Sequence, residues 1–90
     1  MVNEKDLYQR KIQAQVDIWK AELSKFKAML SGNSADVQMK IKEQMKELEG
    51  KIEEGEAKLK QLAETSDDAW ESIKASVKST WDSWNLPGIH

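Results

Sequence analysis

Leu30-Ser31-Gly32-Asn33-Ser34-Ala35 is the stretch on which the fold turns. Gly32 suits the left-handed conformation that follows a helix C-terminus, and Ser34 suits the capping position of a helix that starts at Ala35. A connection as short as residues 31–34 makes the two helices that flank it antiparallel neighbours. Working outward, the apolar residues step by threes and fours on both sides. Tyr8, Ile12, Val16, Trp19, Leu23, Phe26 and Leu30 precede the break, and Val37, Ile41, Met45, Leu48 and Ile52 follow it. That spacing belongs to helices that hide one narrow face against another helix. Almost everything between these positions is charged or amide-bearing.

The first helix is expected over residues 3–30, with Asn3 as N-cap and Glu4 and Asp6 at the positive end of the helix. The second is expected over residues 35–63 and would be about 43 Å long. Asp36/Lys40, Glu47/Lys51, Glu54/Lys58 and Glu56/Lys60 each place the acid four residues before the base, worth about 0.2–0.5 kcal/mol per pair. Gly50 and Gly55 oppose this, each by about 1 kcal/mol relative to alanine. Gly55 lies on the seam itself, where either close approach of a partner backbone or plain local softness accounts for it.

Thr65-Ser66-Asp67-Asp68 reads as a further N-terminal signal, with Thr65 as cap and Asp68 in the place of the capping-box acid. A third helix is therefore expected over residues 66–85. The stripe nevertheless runs on in phase through Leu59, Leu62, Ser66, Trp70, Ile73, Val77, Trp81 and Trp84, so the alternative is one long bent rod. Asn85-Leu86-Pro87-Gly88 ends the helix, because the residue before proline is pushed out of the helical region. Residues 86–90 read as a tail.

Composition narrows the function. The 90 residues suit one domain, and 33 % charged against 39 % hydrophobic residues, with one proline and four glycines, is a long-helix profile. The 14 basic and 16 acidic side chains are interspersed, and the net charge of −2 offers no basic field to nucleic acid. With no cysteine, disulfides, thiolate metal sites and cysteine nucleophiles are excluded. The N-terminal residues lack an apolar signal region, and no run reaches the ~18–20 apolar residues of a membrane span. A cytoplasmic protein is the expectation.

Ala69-Trp70-Glu71-Ser72-Ile73 is echoed eleven residues later by Thr80-Trp81-Asp82-Ser83-Trp84, and Tyr8, Trp19 and Leu30 recur at the same interval. Eleven residues make almost three whole turns, so such a stripe hardly drifts and the helices should lie nearly straight. Ala14, Ala21 and Ala28 add a flank spaced by sevens. Tyr8-Gln9-Arg10-Lys11-Ile12-Gln13-Ala14-Gln15, Asp17-Ile18-Trp19-Lys20-Ala21-Glu22 and Ala63-Glu64-Thr65-Ser66-Asp67-Asp68-Ala69-Trp70-Glu71, with Lys74-Ala75 and Trp81-Asp82, resemble small bacterial coiled-coil proteins associated with stress responses. That group shares eleven-residue amphipathic character with exchangeable apolipoproteins. The resemblance covers most of residues 7–84 and implies a helical protein without a catalytic motif. The ending Trp84-Asn85-Leu86-Pro87-Gly88-Ile89-His90 departs from the longer amphipathic tail of the group.

Residues able to carry chemistry are sparse. His90, the single histidine, has no fixed neighbours as a base or ligand. Glu53-Glu54 and Asp67-Asp68 point about 100° apart on a helix and read as solvated faces and caps. The serines of the third helix have no activating histidine, and no phosphate loop or metal-spaced cluster occurs. No enzyme activity and no cofactor are expected.

Trp70, Ile73, Val77, Trp81 and Trp84 fall within an arc of about 80° and are the candidate interaction residues. Core packing accounts for such a face, and so does docking on a partner groove or membrane. The segment from Ser66 onward carries four acids and two bases, which disfavours anionic lipid. A two-helix seam is thin, so added burial from the third helix and from a second copy is expected. Residues 1–30 carry six bases and four acids and residues 31–65 six bases and eight acids, a bias that helps the two helices pair. The expectation is an all-α antiparallel hairpin with a Trp-rich third helix, dimeric, acting as a non-enzymatic interaction or structural protein. Its partner is a copy of itself or another helical protein. The alternative is a peripheral lipid-surface protein.

Overall fold

A computed structural model describes residues 3–84, and among them the chain forms three helices and no strand. They are α1 (Glu4–Leu30), α2 (Ala35–Glu64) and α3 (Asp67–Trp84), arranged as the all-α hairpin with a third helix that the spacing implies. The helix end assigned to Asn85-Leu86-Pro87-Gly88, the tail 86–90 and His90 lie outside the described residues.

Local chemistry sets the ends of the hairpin helices. Asn3 Oδ1 accepts the Asp6 N–H at 2.8 Å and starts α1. At the other end Gly32 turns the chain with φ +104°, a conformation in which a Cβ is strained. Ser34 Oγ accepts the Val37 N–H at 3.5 Å and opens α2. The last carbonyls of α1 are also covered: Gln38 Nε2 donates to Leu30 O at 2.7 Å, Ser31 Oγ to Ala28 O at 3.2 Å, and Asn33 Nδ2 to Met29 O.

The junction before α3 corrects the expected cap. Thr65 does not open α3; it closes α2, its N–H donating to Leu62 O at 3.2 Å and its hydroxyl to Gln61 O at 2.6 Å. Because α2 extends to Glu64, the capping role moves one residue on, and Ser66 Oγ accepts the Ala69 N–H at 3.2 Å. The break is real, with Thr65 extended at φ −92°, ψ 127°, so α2 and α3 are separate helices.

Lys5 with Thr65, Val16 with Gly55 and Leu30 with Gln38 fix α1 and α2 as antiparallel. Trp70 meets Tyr8 and Trp84 meets Trp19, so α3 runs in the direction of α1 and lies chiefly on it. The core joins Ile12, Val16, Trp19, Leu48, Ile52, Leu62, Trp70 and Val77. Ile12, Val16, Leu62 and Val77 are wholly buried, each stabilising the fold by about 1.5–3 kcal/mol. Two positions of the expected stripe depart from it. Val37 is 41 % exposed, because the first turn of α2 lies past the end of α3 and next to the open loop. Ser66 is spent on the cap and is exposed.

Candidate interaction surface

The Trp-rich face of α3 is where the sequence places the interaction residues, and the bundle itself occupies it. Trp70 and Val77 are buried in the core, while Ile73, Trp81 and Trp84 are half-buried and packed against it. Trp84 meets Trp19 edge-on with centroids 5.0 Å apart and Trp81 at 6.3 Å, and Trp70 lies 5.9 Å from Tyr8. Such pairs contribute about 0.5–1.5 kcal/mol beyond their burial. The indole N–H groups also have partners: Trp70 Nε1 donates to Glu4 Oε1 and Trp84 Nε1 to Glu54 Oε1, both at 3.2 Å. Docking through Trp70 or Val77 would require α3 to leave α1, whereas Ile73, Trp81 and Trp84 keep part of their surface in solvent.

Cations complete the packing. Lys11 Nζ sits 5.0 Å from the Tyr8 ring centre and 5.9 Å from that of Trp81, bridging α1 and α3. Lys5 Nζ donates to Thr65 O at 2.7 Å and lies 3.3 Å from the Asp67 carboxylate, placing a positive charge between the negative end of α2 and the first turn of α3. The contacts of Lys11 with Trp81 and of Lys5 with Thr65 and Asp67 are not marked by periodicity, because each joins residues sixty or more apart.

Two charged groups at α3 have shifted titration, Glu4 facing it from α1 and Lys74 on it. The Lys78 ammonium at 3.2 Å and the Trp70 N–H hold the Glu4 carboxyl below its ordinary value of 4.5. The Glu71 carboxylate at 2.8 Å raises Lys74 above 10.5. The Glu4 contacts dock α3 on α1, and the Glu71–Lys74 pair lies along α3 itself. A shallow groove along Gln9, Gln13, Ala14 and Leu59 is open, and its charged groups, Arg10 and Asp17, do not converge on a buried point. Among the described residues no group of three His, Cys, Asp or Glu side chains is placed to hold a metal ion, and no helix is long and apolar enough to cross a membrane.

A second apolar line, absent from the sequence expectation, runs along the outside of α1. Leu7, Ile18 and Met29 are 45 %, 52 % and 45 % exposed. They are spaced by elevens, each directly before a residue of the inward series Tyr8, Trp19 and Leu30. An interval of eleven keeps them in one column while their neighbours face the bundle. The signal that finds them is the pair of adjacent apolar residues at every third turn: Leu7-Tyr8, Ile18-Trp19 and Met29-Leu30.

No family model, no curated protein and no solved structure matches this chain.

Proposed function

We propose that this chain is a non-enzymatic helical interaction and structural protein, of the kind represented by the small stress-associated bacterial coiled-coil proteins that its sequence resembles. It acts in the cytoplasm by offering an apolar helical face to a copy of itself or to another helical protein. The observation that supports the reading is the exposed column Leu7, Ile18 and Met29 on α1. Most of the seam stripe is packed inside the bundle, and of the exposed large apolar residues Leu7, Ile18 and Met29 share one face of α1, whereas Val37 and Met39 stand apart near the start of α2.

A peripheral lipid role draws on the same column, which Arg10 and Lys25 flank. Flotation with mixed neutral and anionic phospholipid vesicles separates the two readings. Protein that stays at the bottom of the gradient, with unchanged tryptophan emission, supports the protein-interaction reading. Co-flotation with a blue shift replaces it by the lipid one. The stress association is tested by abundance of the protein in its own cell under heat, osmotic and oxidative challenge; constant abundance removes that part.

A further inference from the structure

The outward column has a symmetry that a second copy of the same chain can match. Leu7 and Met29 stand at equal distances on either side of Ile18, about 16 Å each along the helix at 1.5 Å per residue. A two-fold axis beside Ile18 therefore brings Leu7 of one chain opposite Met29 of the other, and Ile18 opposite its own copy. We propose that a second copy of this chain packs antiparallel on the outer face of α1 about that axis. The inference rests on the interaction reading above and names the partner and the residues of that surface.

Charge favours the same arrangement. Residues 19–52, the loop half of the hairpin, carry seven bases and five acids. The opposite half, residues 3–18 with 53–84, carries seven bases and eleven acids. Antiparallel pairing about Ile18 lays each net-positive half beside the net-negative half of the copy, whereas parallel pairing would set like beside like. Within the face the two-fold sets Lys11 of one chain opposite Lys25 of the other, and the Tyr8 and Trp81 rings hold the Lys11 ammonium aside from that encounter.

Shape agrees as well. Trp84, the last described residue of α3, lies against Trp19, so α3 widens only one half of the molecule. In the antiparallel pair the narrow two-helix half of one copy lies alongside the three-helix half of the other. Ala14 and Ala21 flank Ile18 and leave room for close approach of the two backbones.

Sedimentation equilibrium of the full chain should give about twice the 10.3 kDa monomer mass. Ile18→Glu should weaken association by at least about tenfold while leaving helical circular dichroism intact, since Ile18 is outside the core. Direction is read by oxidation, because the chain has no cysteine of its own. Ile18→Cys alone should form a disulfide-linked dimer. Leu7→Cys and Met29→Cys should each fail to link alone but link when mixed. A monomer at every concentration overturns the pairing alone, and so does self-linking of Leu7→Cys. Co-flotation of the wild-type chain with vesicles overturns the interaction reading beneath it.

Discussion

Gly55 of α2 packs its backbone against the side chain of Val16 in α1, so closely that a Cβ at position 55 would overlap Val16 Cγ2. The same methyl would lie 3.6 Å from Trp19 and 3.8 Å from Trp84, which makes this the point where all three helices converge. Val16 is fully buried, and as a β-branched residue in a helix it is stiff at χ1, so it gives way only at a cost.

Gly55→Ala is therefore expected to destabilise the protein. Overpacking of about 1–3 kcal/mol outweighs a helix-propensity gain of about 1 kcal/mol. Gly50 is the control, since a Cβ there meets nothing within 4 Å. Gly50→Ala should raise stability by about 0.5–1 kcal/mol, or several degrees in Tm. Thermal melts of the two variants should move in opposite directions; two increases would mean that the helices are not in contact at Gly55.

Trp19 is 6 % exposed and Leu48 7 % exposed in the core. Trp19→Ala should cost about 3–5 kcal/mol and Leu48→Ala about 2–5 kcal/mol by urea denaturation. Because Trp84 stacks edge-on against Trp19, a double-mutant cycle between Trp19→Ala and Trp84→Ala should show a coupling of about 0.5–1.5 kcal/mol. Additive effects would detach α3 from this part of α1.

Removing the cap tests the junction. Ser66→Ala should cost about 1 kcal/mol, and Ser66→Asp should retain most of the stability, because either oxygen accepts the Ala69 N–H. If Thr65 were the true cap, Ser66→Ala would leave the denaturation midpoint unchanged.

Acid should loosen α3 at its first turn. The Glu4 carboxyl titrates below its ordinary 4.5 in the folded state, so its contribution is complete above that value and is lost as pH falls through the lowered one. The Trp70 indole N–H resonance, followed by NMR from pH 7 downward, should hold steady until pH is below 4.5 and then shift. Glu4→Gln should abolish that step. Lys74 carries the opposite sign: the ammonium charge that pairs with Glu71 is held at 10.5 and is lost as pH climbs through the raised value.

Much of the architecture can be read along the chain. Asn3, Gly32 and Ser34 behave as their local chemistry demands, because capping and left-handed turns involve only a few neighbouring residues. The inward set Ile12, Val16, Trp19, Ile41, Leu48, Ile52 and Leu62 follows from a period of 3.6 residues, a property of each helix taken alone. The indoles of α3 fall on the expected arc, but an arc says only which face is apolar. Core packing and docking leave the same trace in sequence, and it is α1 that covers Trp70 and Val77.

What the sequence by itself determined is the helical phase, the hairpin turn and the side of each helix that turns inward, since all of these are set by contacts within one or two turns. Only the tertiary structure decided that Gly55 marks a close approach while Gly50 is open, that Ser66 rather than Thr65 caps α3, and that Leu7, Ile18 and Met29 stay uncovered. Each of those depends on the register and spacing between helices far apart in the chain, where a shift of one residue changes every neighbour without altering the pattern.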